Sequence, residues 1–225
     1  MLTPPGRPQR RWIGQIAALA LGVGVILGLR LVWINLLVDH IVVRNFGVVE
    51  PGKVYRTRRL TEQTPARVTR DNGIKTIVDF GAYSPDSPQE ETEAAFAGHN
   101  GINRVVLRLY GDGTGNPNAY VQALKIMNDP ANQPVLVHCS AGSERTGIAV
   151  MLYRNIFQGV PLEEAEAIEF KHSADRSSPF MPFVHRWRDP IAAALKSGSL
   201  IPDIAPADAL TAATAPQVAE VAPKK

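Results

Sequence analysis

Apolar positions along the chain follow three regimes. Residues 12–29, WIGQIAALALGVGVILGL, carry no charge, and after Arg30 the apolar run resumes as LVWINLLV. An unbroken stretch of this kind is long enough to cross the hydrocarbon layer, which takes about 20 helical residues. Arg30 interrupts a full 12–38 span, but its side chain can snorkel to an interface, with Trp12 and Trp33 as interfacial aromatics. No clean small-x-small cleavage site follows the run, so an anchor over 12–38 is expected ahead of a signal sequence. From residue 45 the pattern becomes periodic. GVVEPGKVYR reads as two short extended pieces about a Pro-Gly turn. The β-branched or Leu-rich runs 74–80, 102–109 and 134–139 are bounded by turn residues and read as strands. Helical patterns separate them: SPQEETEAAFAGHNG has acids in its first turn, and NPNAYVQALKIMND starts on an Asn116 cap with Pro117 behind it. RTGIAVMLYRNIFQG, PLEEAEAIEFKH and a last helix over 182–196 complete the alternation.

Strands alternating with helices predict an α/β fold, with a mostly parallel central sheet flanked by helices. Ligands of such sheets bind beyond the carboxyl ends of the strands. The expected organisation is a basic N-terminal tail (1–11), the anchor (12–38), one folded domain (45–195) and an Ala/Pro-rich tail (196–225). The tail buries too little apolar surface to offset its ordering entropy and is expected to be disordered.

Composition adds mainly exclusions. With 225 residues and a single cysteine, the chain has neither an internal disulfide framework nor a Cys-rich zinc site. A formal net charge of +3, much of it near the two ends, leaves no basic stripe with interleaved aromatics, so no nucleic-acid partner is expected.

The lone Cys139 ends the run PVLVHC and opens CSAGSERTG, with Arg145 six positions on. A short loop between a strand and a helix can turn its backbone N–H groups inward as an anion nest, with the helix N-terminus behind. Ser140, Ala141, Gly142, Ser143 and Glu144 supply those amides, and Gly142 permits the backbone angles a nest needs. The positive field favours the thiolate of a cysteine on its floor, and only the thiolate is a good nucleophile. Arg145 adds a planar fork for two phosphoryl oxygens.

His-Cys, five residues, then Arg-Thr-Gly resembles the phosphate-binding loop of the cysteine-based protein tyrosine and dual-specificity phosphatases. The segment VVEPGKVYRTRRLTEQTPARVTRDNGIKTIVDFG is similar to the start of their small atypical dual-specificity subfamily, and the likeness runs from about Phe46 to Trp187. RTRRL departs from the Arg-Ser-x-Gln-Pro of many relatives. The resemblance implies a tyrosine-phosphatase-like fold and a phosphomonoester hydrolase acting through a cysteinyl-phosphate, with no metal or cofactor. Its partners would be a phosphorylated protein or small phosphorylated molecule, and the membrane through the N-terminal helix. Cys139 would be the nucleophile and Arg145 the phosphoryl clamp. Thr146 would hydrogen-bond the thiolate, and His138 would orient the loop through its ring. The general acid expected upstream is Asp112 in LYGDGTGNP, with Asp86 as the alternative and Asp79 structural. Glu144 on the rim would repel highly charged substrates. Arg56, Arg58 and Arg59 are either a solvated run or a substrate-facing surface. Two other classes remain open: a membrane-tethered phospho-reader without turnover, and a rhodanese-like sulfurtransferase. The catalytic domain is expected outside the cytoplasm, because Arg7, Arg10 and Arg11 flank the start of the span.

Overall fold

The computed structural model describes residues 9–32, 44–60, 65–172, 179–202 and 204, in two compact units, Met1–Val42 and Val43–Lys225. The first unit contains helix α1, Gln9–Val32. Its stretch Gly14–Val32 is long and apolar enough to cross a membrane by length and composition, and its side chains are exposed. Residues 33–38 of the expected 12–38 span lie outside the described residues.

The second unit is built on five strands: β1 (Gly47–Glu50), β2 (Val54–Arg58), β3 (Thr76–Asp79), β4 (Asn103–Val106) and β5 (Val135–Cys139), in spatial order β1-β2-β5-β3-β4. Only β1–β2 is antiparallel; the three other pairings are parallel. β5 is central, and all five of its residues are buried, as a parallel strand covered on both faces requires. Helices α2 (Pro65–Asp71), α3 (Pro88–His99), α4 (Pro117–Asn128), α5 (Glu144–Phe157), α6 (Leu162–Glu169) and α7 (Phe180–Ser197) fill the connections and the C-terminal end.

Side-chain alternation sorts the sheet into two faces. Val54, Val78, Val135, Val137 and Cys139 belong to the larger core with α4, α5 and α7, where the tilted rings of Phe80, Tyr120 and Phe183 follow one another at 5.6 Å centroid spacings. Tyr55, Ile77 and Leu136 point the other way, into a smaller core with Leu60, Val68, Ala97 and Ile102. Helix starts follow the expected chemistry: the Ser87 hydroxyl accepts from Glu90 N ahead of Pro88, and the Asn116 side chain accepts from Asn118 N ahead of Pro117.

Two expectations are corrected. The 102–109 strand stops at Val106, because its partner β3 stops at Asp79; Leu107 N makes a last bond to Asp79 O at 2.7 Å. The tail does not become disordered at 196. Residues 198–201 fold back onto α4, where Asn118 exchanges two hydrogen bonds with the Ile201 backbone (3.2 and 2.8 Å) and Lys125 Nζ donates to Gly198 O at 2.8 Å. Residues 205–225 lie outside the described residues.

Candidate active site

Cys139 is the last residue of β5, 1% exposed, directly beside Arg58 of β2 in the parallel register. The loop that follows is held from outside. Ser140 O accepts from Arg59 N (3.4 Å), Ala141 O accepts from Asn45 Nδ2 (2.8 Å), and Gly142 O accepts from Arg56 Nη2. Three consecutive carbonyls are thus tied to the β2 side. In a planar trans peptide the next residue's N–H points opposite to the carbonyl. The amides of Ala141, Gly142 and Ser143 are therefore turned inward, and Gly142 N reaches Cys139 Sγ at 3.2 Å. Among these inward-turned amides, that of Gly142 is the one bonded to the sulfur. Gly142 is at φ +73°, and a Cβ there would lie 2.6 Å from Thr57 O, so no other residue fits without moving β2.

Arg56 is the bracket behind this loop, not part of a substrate surface. It is 1% exposed and forms an ion pair with the equally buried Glu169 at the end of α6. Burial pulls its pKa down to about 10, so it stays charged at neutral pH. His172 nearby is held neutral, its pKa pushed down to about 4 by burial and by Arg56 and Arg154. Arg58 and Arg59, both half-buried, diverge to opposite sides. Arg58 lines a pocket of about 440 Å³ with Arg44, Asn45, Ala141 and Ser143. Arg59 stacks over the Tyr83 ring and lines a cavity of about 530 Å³ that includes Glu93 and Phe96.

Arg145, 8% exposed in the first turn of α5, donates from Nη1 to Phe80 O (2.8 Å) and Gly81 O (2.5 Å). Its Nε is buried with no hydrogen-bond partner. Thr146 Oγ1 is likewise buried and unbonded, so the thiol's partner is the Gly142 amide in place of the expected threonine.

The two candidate acids part clearly. Asp112 is half-buried, its Oδ1 accepting from Thr114 N (2.9 Å) and Oγ1 (2.8 Å). The next residue, Gly113, packs on the start of α5: a Cβ there would fall 2.6 Å from Ile148 Cδ1 and 3.4 Å from the Glu144 carbonyl carbon. Tyr120 donates its hydroxyl to Gly113 O at 2.7 Å. Burial pushes the pKa of Tyr120 well up, and charge at Cys139 and Asp112 adds to it, so one phenol sits in the field of both. Asp86 is exposed at φ +57° in the turn before α3, where its backbone N–H donates to Glu90 Oε2.

His138 is corrected in role. Adjacent to Cys139 on a strand, it faces the other side of the sheet, and its ring reaches away from the loop. Nε2 contacts Glu93 Oε1 at 2.8 Å, and Nδ1 is 4.0 Å from Asp79 Oδ1. Arg104 completes the group, donating to Asp79 Oδ2 (2.6 Å) and Glu93 Oε1 (3.3 Å). Burial alone would push the pKa of His138 down, yet Glu93 and Asp79 raise it to about 9. Two carboxylates thus face two cations. Asp79, Glu93 and His138 have the spacing of a metal site, but both carboxylates are already paired with Arg104. Sequence reasoning missed Asn45, Glu93, Tyr120 and Glu169, none of which lies in the motif.

Among known proteins, residues 40–175 match the profile of the tyrosine phosphatase family. The inositol diphosphatase Siw14 of Saccharomyces cerevisiae is 27% identical over 114 residues, which cover 47% of this chain and 37% of that protein. The crystal structure of the core catalytic domain of PP-IP phosphatase Siw14 in complex with citrate superposes with a TM-score of 0.58 at 24% identity, covering 69% of this chain and 92% of that one. P. aeruginosa TpbA gives 0.54 at 21% identity, covering 68% and 91%. PTPMT1 gives 0.53 at 18% identity, covering 68% and 99%. These structural likenesses establish the shared α/β architecture. The profile match takes in more than half the chain and both ends of the loop, from the Asn45 and Arg56 brackets to Arg145, and on that ground the chain belongs to the tyrosine phosphatase family.

Proposed function

We propose that the chain hydrolyses phosphomonoesters by the tyrosine/dual-specificity phosphatase mechanism. The carrying observation is the inward-turned amide nest over Cys139 Sγ, fixed by three carbonyls tied outward. Such an array of donors binds a phosphoryl group and stabilises the charge that develops on it. Arg145, anchored through Nη1, presents Nε and its outer edge to the equatorial oxygens. The Cys139 thiolate attacks phosphorus; the S–P bond forms as the P–O bond to the leaving group breaks, and Asp112 gives that oxygen its proton. Water then attacks the cysteinyl-phosphate, Asp112 takes a proton from it, and the S–P electron pair returns to sulfur. Thr146 is assigned the hydroxyl that eases departure of the thiolate. None of these steps calls for a metal.

The substrate class is a phosphotyrosyl or phosphoseryl/threonyl protein or a small phosphorylated molecule. The test is turnover of an aryl phosphate by the purified chain, with Cys139→Ser alongside. Phosphate release that disappears in the variant is expected. Absence of turnover in the unaltered chain would favour a phospho-reader, and sulfur transfer from thiosulfate would favour a rhodanese-like activity.

A further inference from the structure

Asp112 stands in a segment whose backbone is free to move. In GDGTG, Gly111 and Gly113 flank it and Gly115 follows; Gly113 and Gly115 lie at φ +86° and +126°. Glycine-rich backbone has the most conformations to lose, so the place of this carboxylate has to be set from outside the segment. Bonds within the segment do not set it. Thr114 donates to the Asp112 carboxylate, Tyr110 N to Thr114 O at 3.0 Å, and Gly113 N to Tyr110 O at 3.0 Å. These close a compact turn that would travel with its aspartate. The turn is tied to the core through α4. There Tyr120, fully buried, donates its hydroxyl to Gly113 O at 2.7 Å, one residue from Asp112.

The ring that carries this hydroxyl is itself fixed, with the centroids of Phe80 and Phe183 each 5.6 Å away. Phe80 is also the residue whose carbonyl accepts from Arg145 Nη1 at 2.8 Å. Its ring thus meets Tyr120 while its backbone holds the phosphoryl clamp. Burial pushes the pKa of the phenol well up; charge at Cys139 and Asp112 adds to this and Arg145 opposes it. The hydroxyl therefore keeps its proton and remains a donor. We propose that Tyr120 is a positioning residue for the general acid: through Gly113 O it holds the Asp112 turn in a fixed place relative to the Arg145 guanidinium and Cys139. This rests on Asp112 being the acid and adds to that reading a residue outside the motif that sets where the acid stands. The role needs no contact between Tyr120 and substrate.

The test is Tyr120→Phe in the full chain in detergent. The substitution removes the hydroxyl and keeps the ring, so the aromatic contacts and the fold should stand, as a thermal melt checks. Two substrates are compared: phenyl phosphate, with a poor leaving group, and 4-nitrophenyl phosphate, with a good one. The quantity read is kcat/KM, which reports the transition state relative to free enzyme and substrate. A misplaced acid hurts most where the leaving oxygen is most basic. Tyr120→Phe should lower kcat/KM about three- to tenfold for phenyl phosphate, the scale of one buried hydrogen bond, and by less than about twofold for the activated ester. Inhibition by orthophosphate should be unchanged. In an Asp112→Asn background the same substitution should add nothing, because residues that act as one unit are not additive. A purely structural role gives other results: both esters slow alike, orthophosphate binds more weakly, or the loss persists without Asp112. Any of these, or unchanged rates for both esters, would overturn the role of Tyr120. Asp112→Asn alone judges the acid. If it spares phenyl phosphate, that assignment falls and the role of Tyr120 falls with it. If it is selective and Tyr120→Phe is not, only the role of Tyr120 falls.

Discussion

Arg145 Nη1 is committed to the Phe80 and Gly81 carbonyls, which fixes the plane of the guanidinium before any ligand arrives. A lysine ammonium can hold one of these carbonyls but cannot also present a planar fork. Arg145→Lys should therefore lower kcat by at least about 100-fold, the cost of losing one preorganised donor. Asp112→Asn should slow phosphate esters with poor leaving groups by about 100-fold or more and an activated aryl phosphate much less, since a proton donor matters in proportion to leaving-group basicity. The same pattern from Asp86→Asn instead would reverse the assignment. On the far face of the sheet, His138 is raised to about 9 from 6.5, so the folded state holds its proton more tightly than the unfolded chain. Its contribution to stability is fully present below pH 6.5 and is lost as pH rises through about 9. His172 acts in the opposite sense: the unfolded chain takes up a proton below 6.5 that the folded state refuses until about 4, so acid destabilises. Melting temperature against pH should peak near neutrality, and Glu93→Gln should flatten the alkaline limb. Cys139 and Arg145 stand in one loop six positions apart, a spacing that a local pattern can signal. Asn45, Glu93 and Glu169 act on groups 96, 45 and 113 positions away, and nothing in a local pattern signals such a partner.

At the scale of elements, α6 holds the phosphate loop without touching it. Glu169 ends that helix, pairs with Arg56 of β2, and Arg56 in turn holds the Gly142 carbonyl. Breaking a buried ion pair at one partner costs about 3–5 kcal/mol, because the other charge is stranded. Glu169→Gln keeps the shape and some hydrogen bonding, so it should lose less than Glu169→Ala. Both should lower the melting temperature and weaken orthophosphate binding, as calorimetry would read. The two loop glycines make a sharper comparison. An alanine at either is disfavoured by about 1 kcal/mol or more from its positive φ alone. At Gly142 the Cβ also meets β2 backbone at 2.6–2.8 Å, which cannot yield, whereas at Gly113 it meets the Ile148 methyl end, which can. Gly142→Ala should therefore abolish phosphate binding, while Gly113→Ala should retain it and slow turnover by lifting Asp112. The elements themselves were largely readable: Ser87-Pro88 and Asn116-Pro117 announce helix starts, and both helices begin there. The end of β4 and the docking of 198–201 were not, since the first depends on the length of a neighbouring strand and the second on Asn118, a side chain of another helix.

At the scale of the whole molecule, an N-terminal span would fix the side of the membrane on which the Val43–Lys225 unit stands. Gly14–Val32 has the length and composition of a span, and no charged residue interrupts it before Arg30. Arg7, Arg10 and Arg11 crowd the N-terminal flank, while the C-terminal flank mixes Arg30 and Arg44 with Asp39. Basic residues beside a span stay on the cytoplasmic side, because carrying them across is costly, whereas a long following domain crosses largely regardless of its charge. The expected arrangement therefore has the Val43–Lys225 unit outside the cytoplasm. The cysteine count agrees. Cys139 is free and buried, and with no second thiol in the chain an oxidising compartment offers it no internal disulfide. The measurement is protease added to intact bacterial spheroplasts expressing the chain with a tag after Lys225. The tag should be digested at once, while a cytoplasmic marker survives. A tag that remains protected until detergent is added would put the catalytic unit in the cytoplasm. The phosphorylated substrate would then have to be sought on that side.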